Sequence, residues 1–379
     1  MSKHTSQLDM PTKKVPLQKI KFGKYEKASF HNDVKERVNL YFSSGNISKG
    51  ANTEMLFKTF LIMFAWLATY FLIIFNVVSP LVMLVLALIH GFAAAMIGMN
   101  IAHDAIHGSY TKSSKINKII GLMFNMVGAN DYVWNISHNK VHHTYTNIPQ
   151  HDEDIHQVPI LRMEPTQDLW WIHRFQYIYA FGLYSLASLS WVFIKDYVKF
   201  FQHQLGSHYR ETFPKREIFR LFFYKSLYYT IFLVIPLIMV SLPWYWIILG
   251  FVAAHLVEGI TLAIIFMLAH IIEDVEYPIP NKDGQMDMAW ADLQMYTTAN
   301  FAMKNRFVNY VTGGLNFQIV HHLFPKVCHV HYPKIAEIIK QTAIEYNLPF
   351  IEHKTFFGAI ASHTRILKKF GRPEIKKAA

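Results

Sequence analysis

Apolar residues run almost unbroken over positions 59–78 and, after the break at Ser79 and Pro80, over 81–102. At about 1.5 Å per residue, each run is long enough to cross a hydrocarbon layer of about 30 Å. The pattern returns at 221–240, breaks at Ser241, Leu242 and Pro243, and resumes at 244–269. Connectors this short permit only an antiparallel return, so the pattern predicts four spanning helices arranged as two hairpins. A fifth stretch, 177–194, is shorter and carries Gly182, Ser185, Ser188 and Ser190. If it spanned, Lys195, Lys199, Arg210, Lys215 and Arg216 would lie opposite the other basic segments, so it reads as an interfacial or re-entrant helix. The expected fold class is an all-α integral membrane protein. A basic segment (1–54) leads into a membrane domain (55–345) and a basic tail (346–379).

Composition narrows the picture further. With 52% hydrophobic and only 17% charged residues, the chain does not read as a set of soluble domains. A single cysteine, Cys328, excludes an intrachain disulfide framework, a zinc ribbon and a thiolate-held iron–sulfur cluster. The net charge of +11 is not gathered into a nucleic-acid-binding signature. It flanks the apolar runs instead: residues 1–50 hold ten Lys or Arg against four acids, and Arg365, Lys368, Lys369, Arg372, Lys376 and Lys377 crowd the tail. Both termini are therefore expected in the cytosol. The first fifty residues also lack the apolar core of a signal peptide.

Twenty-one histidines supply the candidate chemistry. His103 and His107 follow the second run in HDAIH, four apart and so on one helical face. HNKVHH again places His138 and His142 on one face, with His143 turned roughly 100° away toward a second ion. QIVHH places Gln318, His321 and His322 at i, i+3 and i+4, with Pro325 available to end the helix. One HxxxH alone reads most simply as a solvated or core pair. Three such clusters, delivered to one membrane face, read as a metal site. Copper usually brings Met or Cys ligands and hydrolytic zinc needs only three protein ligands, so seven or eight imidazoles point to two irons.

HDAIH, HNKVHH and QIVHH, in this order around two apolar hairpins, resemble the three histidine boxes of the membrane fatty acid desaturases. WADLQMYTTANF from Trp290 and GGLNFQIVHHLFP from Gly313 are similar to the front-end branch, whose third box begins with Gln. The resemblance covers roughly residues 55–340. It implies an oxygen-dependent di-iron enzyme that removes two hydrogens from a fatty acyl chain, carried on coenzyme A or a lipid, and leaves a cis double bond. It also implies His270 in LAHIIED as a further ligand, beside the alternative of a polar helix end. Gln318 stands where stearoyl-type relatives have histidine, and either ligates through its oxygen or holds a water. Asp104, Asp152 and Asp154 are expected to accept from the far nitrogens of ligating imidazoles, or to cap helices. Trp134, with Asn130 nearby, is expected beside the acyl chain or at the headgroup boundary. The remaining histidines, His4, His156, His329 and His363 among them, read as surface or structural.

Ionisable residues inside the spans are costly. His90 lies thirteen residues before His103, and His255 and Glu258 lie fifteen and twelve before His270. All three thus fall about 18 to 22 Å from the histidine-bearing ends. They are expected either to close the methyl end of an acyl tunnel or to form an interhelical hydrogen bond. The chain has no GxGxxG after a strand, no CxxC set and no HPGG motif, so its electrons must come from a ferredoxin or a separate cytochrome b5. Histidine spacing does not separate a desaturase from a membrane di-iron hydroxylase or ketolase. A metal transporter would place its ligands along the spans rather than at their ends.

Overall fold

The computed structural model describes residues 17–24, 29–155 and 158–373; His4, His156, Lys376 and Lys377 lie outside the described residues. Helix α1 (Phe30–Ser44) starts at Ser29, whose hydroxyl accepts from the Asn32 N–H. At positions 30, 34, 38 and 42 it presents Phe, Val, Val and Phe on one face, buried against a cluster that includes Val320, Leu323 and Ile335. Part of the basic N-terminal segment is thereby packed over the third histidine cluster.

Helix α2 (Thr53–Ile74) begins earlier than its apolar run, because Asn52 caps it by accepting from the Met55 N–H at 3.0 Å. It stops before the run does, where Asn76 adopts a left-handed φ of 56°. Pro80 then opens helix α3 (Pro80–His107), which packs back along α2 through Trp66, Ala93, Ala94 and Ile97. Further along, the segment 131–145 forms helix α4, and Trp171–Ser185 and Ala187–Phe201 form α5 and α6. Helix α7 (Lys215–Met239) and helix α8 (Trp244–His270) complete the apolar set. Helices α2, α3, α7 and α8 are each long and apolar enough to cross a membrane. Phe57, Phe60, Phe64 and Phe71 of α2 point outward, as a lipid-facing surface requires.

Here the structure departs from the single helix expected over 177–194. Leu186 divides that stretch into α5 and α6, bent by 60°. The bend is seated on Gly259 of α8, where an added Cβ would fall 2.3 Å from the Ser185 carbonyl oxygen. Helix α3 approaches the other side of α8 as closely: a Cβ on Gly91 would lie 1.9 Å from the Ala254 carbonyl oxygen. Two glycines thus let α8 serve as the central post. It carries His270 on its last residue, as α3 carries His103 and His107 on its last turn.

Above these ends lie helices α9 (Trp290–Thr297), α10 (Gln318–Leu323), α11 (Tyr332–Glu345) and α12 (Phe356–Phe370). One pair of two-residue strands staples the loops between them, Asn300–Phe301 running parallel to Glu352–His353. The Asn300 side chain accepts from the Ile319 N–H at 3.1 Å and so fixes the start of α10.

Gly91→Val places a branched side chain against the α8 backbone, an overpacking that typically costs about 1–3 kcal/mol. The purified variant is expected to unfold at a lower temperature in detergent than Gly182→Val, because Gly182 has open space around it. Equal midpoints would show that α3 and α8 do not need this approach.

Candidate metal centre

Local sequence shapes the histidine-bearing ends of these elements. Helix α3 passes through a π-helical turn over Ile97–Ala102, resumes as His103–His107, and stops at Gly108 with φ 76°. Helix α4 is π-helical over Asn135–His142, a wider winding that is frequent at functional sites. Its effect here is to turn His143 inward as well, so that His143 Nε2 comes within 3.2 Å of His138 Nε2. Helix α10 ends at Leu323, two residues before Pro325.

All eight histidines converge. Donor atoms of His103, His107, His138 and His321 lie within 4.8 Å of one another, as do those of His142, His270 and His322. His143 joins His321 and His322 in a third such group that bridges the first two. Seven of these side chains are buried, while His107 is half-buried with its Nε2 inaccessible.

Four of the outward nitrogens are spoken for by protein. His142 Nδ1 lies 2.9 Å from Asp152 Oδ2, and because a carboxylate only accepts, this nitrogen carries the proton. His138 Nδ1 donates in the same way to Asp154 at 3.3 Å. His322 Nδ1 lies 2.8 Å from Gln294 Oε1, and His321 Nδ1 lies 3.3 Å from the Tyr332 hydroxyl. The inward nitrogens are left over. His142 Nε2, His321 Nε2, His107 Nε2 and both nitrogens of His103 are buried with no hydrogen-bond partner. Unpartnered lone pairs at this density are what a bound transition-metal cation satisfies, and imidazole suits zinc, copper, iron and nickel. The donor set therefore fits a metal centre.

Electrostatics keep His138, His143, His321 and His322 neutral and ready to bind. Burial pushes the His143, His321 and His322 pKa values well below the usual imidazole range, and neighbouring imidazoles push in the same direction. Burial outweighs the Asp154 partner at His138, which falls to about 3. At His142 burial acts the same way, but Asp152 overcomes it and the pKa rises.

Gln318 stands at the second group. Its amide nitrogen is 2.9 Å from His270 Nε2 and 3.3 Å from His322 Nε2, and its Oε1 has no partner. Asp104 behaves differently from Asp152 and Asp154. Its carboxylate is 3.8 Å from His103 Nδ1, too far for a hydrogen bond, since successive residues on a helix point about 100° apart. It accepts instead from His329 Nδ1 at 2.9 Å, and His329 Nε2 accepts from the buried Lys58 ammonium at 3.1 Å. His329, Lys58, Gln294 and Tyr332 were not singled out by their sequence. The available signals were a lysine at the edge of an apolar run and a glutamine buried within α9. His363, read as structural, bonds the Ile271 carbonyl and the Tyr184 hydroxyl.

Trp134 stacks on His138 with ring centroids 4.2 Å apart and meets His103 edge-on at 5.5 Å. Together with Gln318, these three residues line a cavity of about 280 Å³ whose other walls include Leu183, Leu262 and Phe266. Asn130 is not part of that wall. It caps α4 by accepting from the Val133 N–H at 2.9 Å, and its own N–H donates to Asp196 at 2.7 Å. His255 and Glu258 lie 3.3 Å apart, whereas His90 bonds to Thr69 and to the Trp66 carbonyl rather than to either of them.

The family model described as fatty acid desaturase matches residues 78–354. This chain belongs to the fatty acid desaturase family. It is 36% identical to the sn-1 linoleoyl-lipid 6-desaturase of Arthrospira platensis, over 94% of this chain and 96% of the relative. It is 34% identical to the protein of the same name from Synechocystis sp., over 94% and 98%. Identity with the acyl-lipid (8-3)-desaturase of Physcomitrium patens is 36%, over 94% of this chain and 75% of that protein. The chain is thus a fatty acyl desaturase, and its buried imidazoles are compatible with metal binding.

Asp152→Asn removes the carboxylate that orients His142 while preserving its size. Loss of such an outer partner typically costs 10- to 100-fold in metal affinity. Metal content by mass spectrometry is expected to fall in this desaturase variant and to recover only at higher added metal. Unchanged metal retention would mean that His142 does not bind through Nε2.

Proposed function

We propose that this chain is an oxygen-dependent acyl-lipid desaturase of the front-end type, with two iron ions as its cofactor. His103, His107, His138 and His321 would hold one ion, and His142, His270 and His322 the other, with His143 between them and Gln318 closing the second group. The chemistry such a pair supplies when bound is the reduction of dioxygen coupled to the oxidation of two adjacent methylenes. The balance is one O2, two electrons and two protons consumed with the CH2–CH2 unit, giving a cis CH=CH unit and two waters.

The observation that carries this reading is the cavity that passes Trp134, His103, His138 and Gln318. Its mostly apolar walls suit a methylene chain, and burial excludes bulk water from the reacting carbons. The indole stacked on His138 gives the chain a flat wall beside the ligand cluster. Lys195 and Lys199, four apart on α6, line the same cavity, and Lys199 lies 3.5 Å from Glu153. They supply a polar end where the carboxyl-derived head of an acyl-lipid can rest. The linoleoyl-lipid and acyl-lipid relatives support a lipid-borne acyl substrate.

In this proposal α2–α3 and α7–α8 cross the bilayer as two hairpins, and the α5–α6 bend enters without crossing. The basic segments support a cytosolic position for both termini and the metal centre. The electrons come from a ferredoxin or a separate cytochrome b5, drawn to the basic cytosolic surface.

Expression in a host with a matching donor and defined fatty acids, followed by mass spectrometry of the products, tests the reaction. The expected product is two mass units lighter than the substrate, with the new double bond counted from the carboxyl end, and is absent with His142→Ala. A gain of one oxygen would make the protein a hydroxylase. With purified enzyme and added donor, turnover is expected to fall as ionic strength rises. A flat response would remove charge attraction from the account of the donor.

A further inference from the structure

A second cavity, of about 430 Å³, opens between α2, α3, α7 and α8 on the side of Glu258 away from the metal centre. Ala87, Gly91, Ala94 and Ala254 give it its width, and its walls are almost entirely apolar. Val127 and Glu258 line both cavities, so the two are separated by little more than the Glu258 side chain and its partners.

Those partners form a chain of hydrogen bonds. The Tyr228 hydroxyl lies 3.0 Å from His255 Nε2, His255 Nδ1 lies 2.7 Å from Ser188 Oγ, and the Ser188 hydroxyl donates to Glu258 Oε2 at 2.7 Å. One arrangement satisfies every group: tyrosine donates to imidazole, imidazole to serine, and serine to carboxylate. All four side chains are buried, at 6% exposure or less. They come from three elements, since Ser188 sits just past the α5–α6 bend, His255 and Glu258 on α8, and Tyr228 on α7. Apolar side chains would fill this place without the desolvation cost of a buried imidazole and carboxylate.

We propose that the Ser188, His255, Glu258 and Tyr228 relay is a partition between the reaction cavity and a second acyl subsite, and that it sets how long a methyl-terminal segment the enzyme accepts. This rests on the acyl desaturase reading and deepens it. The ligand of the second cavity is the methyl end of an acyl chain too long for the first. His90, bonded to Thr69 and stacked on Trp66, belongs to the far wall of that subsite rather than to the partition.

The test is competition between chains of sixteen, eighteen and twenty carbons, with products quantified for the wild type, Glu258→Ala, Ser188→Ala and Glu258→Ala combined with Ala87→Leu. A single methylene in an apolar pocket changes selectivity by about 10-fold or more. Glu258→Ala, and Ser188→Ala to a smaller degree, should raise the twenty-to-eighteen-carbon product ratio about tenfold. Ala87→Leu fills the second cavity and should cancel that gain. A purely structural relay predicts equal losses at every chain length with an unchanged ratio, and that result overturns the proposal. Persistence of the gain after Ala87→Leu also overturns it, because the extra carbons would then lie elsewhere. Should Glu258→Ala fail to fold, Ser188→Ala, which removes only a hydroxyl, carries the same comparison. If the products gain oxygen rather than a double bond, the desaturase reading fails, while the chain-length ratio still reports on the partition.

Discussion

Unpaired imidazole nitrogens, buried and crowded together, are the constraint to which the rest of the structure answers. A protein interior does not tolerate lone pairs at this density unless a cation sits among them, and the inward nitrogens of His107, His142 and His321 have no other partner. Two apolar helices, α3 and α8, and two shorter helices, α4 and α10, deliver four groups of ligands to that point. Outer partners such as Asp152, Asp154 and Gln294 hold the rings so that each turns the same nitrogen inward. Positioning and charge are thus settled before any metal or substrate arrives.

That arrangement depends on two close contacts of backbone with backbone. Because Gly91 and Gly259 have no side chain, α3 and the α5–α6 bend can both rest directly against α8. The last turn of α3 and the last residue of α8 then emerge side by side. Packing deep in the apolar layer therefore governs the geometry of ligands nearly 20 Å away along the helix axis, at about 1.5 Å per residue.

Much of this was legible in the chain. The four apolar helices follow from run lengths, and the three histidine clusters follow from helical spacing, because both are local properties of sequence. The depth argument also brought His255 and Glu258 together. What escaped was set by tertiary contact. The bend at Leu186 depends on where Gly259 of α8 lies, which no pattern within 177–194 records. Asp104 stands next to His103 in sequence but serves His329, because a helix turns adjacent side chains apart. His143 reads as a ligand turned about 100° away toward a second ion, and the π-helical winding of α4 brings it within reach of His138 as well. His90 shares a depth with His255 but faces α2 instead, since depth along a helix does not fix direction around it.

The α5–α6 bend also carries a message about assembly. Its serine hydroxyl and its tight backbone contact have their partners on α8, a helix that leaves the ribosome after it. In the proposed topology the bend, before α8 is in place, would hold unsatisfied polar groups in hydrocarbon, where no water can serve them. It would then wait at the bilayer surface while the later helices insert. The molecule would be finished out of chain order, with an earlier segment folding down onto a later one.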